Sequence, residues 1–283
     1  MKLYKTRSGI VVEHENQFYL ALSDDWDTLV NRDDLHEFLR QRLADATPSD
    51  EYREWTETQL QAPIGRQEVW ASGVTYLRSR DARMEESKKA GGETGGASAF
   101  YDRVYDAERP ELFFKATPER VVAPGGAVRI RQDSTWNVPE PELTLFITSE
   151  EKIVGYTCGN DMSSRSIEGE NPLYLPQAKT YDGSAALGPC LYVPESPISP
   201  ATQIRLEIIR DDQAAFTNSI AINQMKRQHT ELVSFLFREC SFPAGCYLMT
   251  GTGIVPPDDF TLRSGDKIRI TIDSIGTLEN TVA

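Results

Sequence analysis

The chain has 283 residues, 39% of them hydrophobic and 26% charged, enough for one large domain and a small companion. Its formal net charge of −13, from 43 acidic against 30 basic residues, lacks the basic footprint that nucleic acid requires. It contains no run of about 18 uncharged apolar residues, which excludes a membrane-spanning helix. The start, MKLYKTRSGI, also lacks the apolar core of a secretory signal, so a cytoplasmic protein is expected.

Residues 1–65 read as a small N-terminal α+β domain. LYKTRSGIVVEHENQFYLAL holds strands around a Ser8-Gly9 turn, with a further polar turn at Glu15-Asn16. Asp33 and Asp34 open a helix, DDLHEFLRQRLAD, in which Leu35, Phe38, Leu39 and Leu43 recur at helical spacing. The polar stretch TPSDEYREW leads out of the domain, and Pro63-Ile64-Gly65 marks its boundary.

Residues 66–283 change texture to short strands punctuated by Gly and Pro. EVWASGVTY reads as a strand ending in a glycine-bearing loop. LRSRDARMEESKKA is helical in composition and runs into GGETGGAS, whose small residues pack no core, so residues 77–105 are expected to act as a lid. Strand-like runs follow in ELFFKATP, VVAPGGAVRI, ELTLFIT, KIVGYTCGND, LGPCLYVPE, IRLEIIRDD, CYLMTGTGIV and KIRITIDSIGTLENTV, with one clear helix, QHTELVSFLFREC. This regular spacing predicts an α+β, mostly β fold with a rolled mixed sheet rather than a doubly wound α/β fold.

The side chains available to hold a metal narrow the chemistry. Cys158, Cys190, Cys240 and Cys246 form no CxxC pair, which argues against a thiolate zinc site or a disulfide-stapled domain. His14, His36 and His229 do not fall at helical or strand spacing of one another, so an imidazole zinc site is disfavoured too. Any metal should be a hard cation held by oxygen. Glu140 and Glu142 open the run ELTLFIT and, two apart on a strand, project to the same face. Burying two such carboxylates unpaired costs several kcal/mol each, a burden that a divalent cation removes. Asp161 ends the next strand-like run and, across a hairpin, can complete an oxygen-only site. Lys179 sits in the Gly- and Pro-bounded loop QAKTYDGSAALGP, where an amine can hold a substrate carboxylate or move a proton. Thr250-Gly251-Thr252-Gly253 offers hydroxyls and close backbone approach to a ligand.

ELFFKATP, EPELTLFI, GYTCGNDMSSRS, AKTYDGSAALGP, MTGTG and RSGDKIRITIDSIGTLENTV, in this order over residues 110–283, resemble the fumarylacetoacetate hydrolase superfamily. The resemblance implies a mixed β-roll catalytic domain and a divalent metal, usually Mg²⁺, with Mn²⁺ or Ca²⁺ as substitutes. It matches Glu140, Glu142 and Asp161 to the metal ligands, Lys179 to the active-site lysine and Thr250 to the threonine of the substrate loop. It also implies a homo-oligomer, dimer or tetramer, acting on 2-oxo or 1,3-dicarbonyl acids. Hydrolytic members usually carry a water-activating His after the first catalytic-domain strand, but GVTYLRSRDARMEES has none. That segment, with ELFFKATPER, resembles the 2-keto-3-deoxy-D-arabinonate dehydratase branch, which forms 2,5-dioxopentanoate in pentose oxidation.

A hydro-lyase reading follows, in which a 2-keto-3-deoxy sugar acid loses water by β-elimination through a metal-stabilised enolate. Lys179 is expected to serve as the base or as the partner of the enolate, and Glu85 or Glu86 on the lid to protonate the leaving hydroxyl. Arg80, Lys115 and Arg165 are expected to neutralise the substrate carboxylate. The alternatives are an acylpyruvate-type C–C hydrolase or a 2-oxo acid decarboxylase on the same scaffold, and a non-catalytic ligand-binding protein.

Overall fold

Apolar alternation in the first twenty residues gives a meander of β1 (Lys2–Lys5), β2 (Ile10–His14) and β3 (Gln17–Leu20). Its second turn places Glu15 and Asn16 at φ +50° and +61°, the left-handed pair that suits the right-handed twist of a tight hairpin. The computed structural model describes residues 1–21, 25–79, 81 and 104–283. Three short helices follow the meander: α1 (Trp26–Val30), α2 (Leu35–Leu43) and α3 (Asp50–Thr58). The last occupies the stretch expected as an irregular exit. Ser49 caps it by accepting the Glu51 amide at 3.2 Å, and Asp50 and Glu51 meet the positive end of its dipole. None of its residues is fully buried, so no apolar face betrays it in the sequence.

The remaining strands are β4 (Glu68–Gly73), β5 (Glu111–Ala116), β6 (Val121–Val122), β7 (Ala127–Val128), β8 (Asn137–Val138), β9 (Pro141–Ile147), β10 (Ile153–Asp161) and β11 (Ser163–Ser164). After α4 (Arg165–Glu170) and α5 (Leu175–Lys179) come β12 (Ala185–Tyr192), β13 (Gln203–Arg210) and β14 (Gln213–Ala221). Helix α6 (His229–Leu236), β15 (Cys246–Met249), β16 (Lys267–Ile272) and β17 (Gly276–Val282) complete the chain.

A mixed sheet runs β3-β2-β1-β12-β10-β9-β15-β4-β5, with β6 beside β12. Because β1 pairs with β12, the first residues extend the same sheet as the rest of the chain. A second sheet runs β14-β13-β16-β17-β7. Leu143, Leu145, Ile147 and Cys158 of the first sheet pack against Leu206, Ile208, Ile268 and Ile270 of the second, with Leu232 and Leu236 of α6 closing the layer. On the other face Phe146, Leu187, Leu191 and Tyr247 pack against Leu3, Val12, Trp26, Leu29, Leu35 and Leu39. Each such side chain contributes about 1.5–3 kcal/mol by leaving water. Among the described residues no helix is long and apolar enough to cross a membrane.

Candidate functional site

Strand β9 lies between β10 and β15, and all of its residues are buried. Leu143, Leu145 and Ile147 point into the core between the sheets, so alternation turns Glu142 and Phe146 to the opposite face. Glu140 stands just ahead of the strand. Its amide donates to the Asp161 carbonyl at 3.2 Å and its carbonyl accepts the Asp161 amide at 3.0 Å, which sets the two residues directly opposite each other. Glu142 pairs with Gly159, one strand step from Asp161 on the same face. A carboxylate oxygen from each of Glu140, Glu142 and Asp161 lies within 4.8 Å of the others, and all three residues are buried.

Three buried cations surround this cluster. The Lys179 ammonium donates to Glu140 Oε2 at 2.6 Å, to Asp161 Oδ2 at 3.2 Å and to Ser163 Oγ at 2.6 Å, and lies 3.6 Å from Glu168 Oε1. Arg165 Nη2 donates to Glu140 Oε1 at 2.7 Å. Lys115 Nζ sits 2.5 Å from Asp161 Oδ1 and donates to the carbonyls of Met162 and Lys179. Burial pushes the Lys115 ammonium toward its neutral form, and the Asp161 carboxylate opposes that shift.

Glu142 is placed differently. Its hydrogen bond is with the Gly251 amide, at 2.5 Å. Burial, reinforced by Asp161 and Glu140, pushes its carboxyl well above the usual carboxylate range. Among the described residues, four buried carboxylates, counting Glu168, lie beside three buried cations, a formal charge of −1 with every group ionised. An oxygen-only donor set with residual negative charge fits a hard divalent cation such as Mg²⁺.

The floor of the site is the turn after β15. Gly251 has φ +91°, and a Cβ there would collide with Thr75 Oγ1, so only glycine both adopts the conformation and admits its neighbour. The Thr75 hydroxyl donates to the Thr250 carbonyl at 2.7 Å, which fixes the amide aimed at Glu142. Thr250 is pinned as well, its hydroxyl donating to the Leu143 carbonyl at 2.8 Å. The adjoining Val74 is β-branched yet sits at φ +53°, a conformation that costs of order 1–3 kcal/mol. A far larger cavity, of about 1120 Å³, lies between α2 and α6 and holds none of the site carboxylates, so chemistry rather than size identifies the site.

The structure thus gathers Glu140, Glu142, Asp161, Lys179, Arg165 and Lys115 around one point, with Thr250 beneath. Arg165 and Lys115, expected to neutralise a substrate carboxylate, pair here with Glu140 and Asp161. Arg80, Glu85, Glu86 and most of the expected lid lie outside the described residues. Sequence reasoning missed Ser163 and Glu168, and it singled out the Gly251 turn for backbone approach to a ligand without its amide's bond to Glu142. Ser163, two residues past Asp161, was within reach of the same alternation rule. Glu168 lies on a six-residue helix whose composition gives no hint that it is buried.

Comparison with known proteins places this geometry among relatives. Residues 97–283 match the model of the fumarylacetoacetate (FAA) hydrolase C-terminal family. The chain is 48% identical over 221 residues to a probable 2-keto-3-deoxyxylonate dehydratase of Haloferax volcanii, covering 78% of this chain and 73% of that one. It is 43% identical over 224 residues to the 2-dehydro-3-deoxy-D-arabinonate dehydratase of Saccharolobus solfataricus, covering 78% and 74%. A solved 2-keto-3-deoxy-D-arabinonate dehydratase, complexed with magnesium and 2,5-dioxopentanoate, superposes with a TM-score of 0.81 at 33% identity, covering 100% of this chain and 98% of that one. The chain belongs to the fumarylacetoacetate hydrolase family.

Proposed function

We propose that this protein is a divalent-cation-dependent hydro-lyase that converts a 2-keto-3-deoxy-pentonate to 2,5-dioxopentanoate. The observation that carries the reading is the convergence of three buried carboxylates with Lys179, whose ammonium bonds two of them. The relatives' substrates point the same way. An arabinonate and a xylonate, once carrying an oxo group at C2 and a methylene at C3, each keep a single stereocentre, at C4.

Glu140, Glu142 and Asp161 would hold the cation. When bound it supplies an electrophile for the carboxylate and ketone oxygens of a 2-oxo acid, which acidifies C3. In its neutral amine form Lys179, its position fixed by Glu140 and Ser163, takes the C3 proton and returns it to the departing C4 hydroxyl. Departure of the C4 hydroxyl as water leaves an unsaturated 2-oxo acid with a hydroxyl at C5. Transfer of a proton from C5 to C3 leaves an enol between C4 and C5, and movement of its hydroxyl proton to C4 gives the aldehyde, so the overall balance is loss of one water. Arg165 and Lys115 hold Glu140 and Asp161 in orientation toward the cation.

The segment GVTYLRSRDARMEES carries no histidine to activate water, which supports elimination over C–C hydrolysis. We place the protein in the cytoplasm as a homo-oligomer. The test is incubation with Mg²⁺ and either a 2-keto-3-deoxy-D-pentonate or an acylpyruvate. Aldehyde formation from the first, abolished by EDTA, is expected; cleavage of the second with no aldehyde from the first would overturn the assignment.

A further inference from the structure

Helix α4 is six residues long and buries two of them, Arg165 and Glu168, one turn apart on the same face. Both are charged, so apolar burial does not draw this face inward, and a carboxylate placed there carries a desolvation cost. Arg165 reaches Glu140. Glu168 stands outside the three carboxylates whose oxygens lie within 4.8 Å of one another. Its Oε1 lies 3.6 Å from the Lys179 ammonium, and α4 packs against α5, whose last residue is Lys179. The same ammonium bonds Glu140 Oε2, Asp161 Oδ2 and Ser163 Oγ.

These four partners are not equivalent once the site is loaded. Glu140 and Asp161 are carboxylates assigned to the cation, and a divalent ion on them brings two positive charges up to the Lys179 side chain. Their hold on Nζ weakens, and the ion itself pushes Nζ outward. Ser163 and Glu168 are not assigned to the cation, and of the two only Glu168 is an acid. We propose that Glu168 is a positioning residue that keeps Lys179 at its working place beside the loaded cation. Lys179 serves C3 and the hydroxyl on C4, neighbouring atoms of one substrate, so a small displacement of Nζ costs rate rather than substrate affinity. The role rests on the reaction proposed above, whereas the pairing of Glu168 with Lys179 needs neither cation nor substrate.

Glu168→Gln keeps the size of the side chain and removes its charge. With Mg²⁺ and a 2-keto-3-deoxy-D-pentonate, its kcat is expected to fall about 10- to 100-fold while KM stays within about two-fold of the wild type. Deuterium at C3 should slow this variant by a larger factor than it slows the wild type, because proton transfer becomes the slow step. A second arm uses EDTA-treated protein without substrate. Urea midpoints of Glu168→Gln, Lys179→Met and the double variant are expected to shift non-additively, since each single change strands the other partner. Additive shifts, an unchanged kcat for Glu168→Gln, or a loss carried by KM would each overturn the role. A wild type that forms no aldehyde, with the urea shifts still non-additive, would overturn the reaction and the positioning role with it, leaving the ion pair in place.

Discussion

In the proposed reaction Glu142 and Lys179 divide the work, and their substitution should separate two readouts. Glu142 bonds the Gly251 amide and otherwise faces the other carboxylates, which disfavour its charge unless a cation joins them, so its proposed role is to hold that cation. Glu142→Ala should abolish Mg²⁺ binding by calorimetry and turnover with it. Lys179→Met should retain Mg²⁺ binding yet lose about 10²–10⁴ in kcat, the span of general acid–base catalysis. Retention of turnover by Lys179→Met would remove Lys179 from the chemistry. The two glutamates were legible because a strand alternates, so that an ExE pair on a strand must share a face. Asp161 needed more, because its place opposite Glu140 depends on the pairing of β10 with β9, which the sequence supplies only as two adjacent strand-like runs. Glu168 was not legible, since its burial arises from packing far along the chain.

At the level of elements, strong periodicity was read and weak periodicity was not. α6 announced itself through Leu232, Val233 and Leu236, which pack into the core. α3 and β14 escaped notice because neither buries a full apolar face, one being a capped surface helix and the other an edge strand. α6 also carries a pH-sensitive burden. His229 opens the helix, and burial lowers its pKa from 6.5 to about 4. Its place at a helix N-terminus disfavours the cation further. Between these values the unfolded chain binds a proton that the folded chain refuses. The contribution is therefore complete above pH 6.5 and is lost as the pH falls toward 4, by at most about 3 kcal/mol. Urea midpoints measured from pH 7 to 4 should fall less steeply for His229→Gln than for the wild type, and parallel curves would show that His229 contributes nothing.

For the molecule as a whole, the decisive fact is where the carboxylates sit. Glu140 and Glu142 flank Pro141, the first residue of β9, and Asp161 ends β10; both are interior strands of the large sheet. β9 sends Leu143, Leu145 and Ile147 into one core and Phe146 into the other, so it cannot detach without opening both. A cation bound there is linked to global unfolding rather than to local fraying. At a free concentration of 100 times its Kd, Mg²⁺ should add about 2.7 kcal/mol to stability. For a chain of this size that corresponds to a rise in Tm of about 4–5 °C over EDTA-treated protein, in a single cooperative transition. Glu142→Gln should melt at the same temperature with and without Mg²⁺, because it removes a ligand while relieving the carboxylate repulsion. Coincident melting curves for loaded and chelated wild type would mean that the carboxylates hold no cation, and the proposed reaction would lose its electrophile.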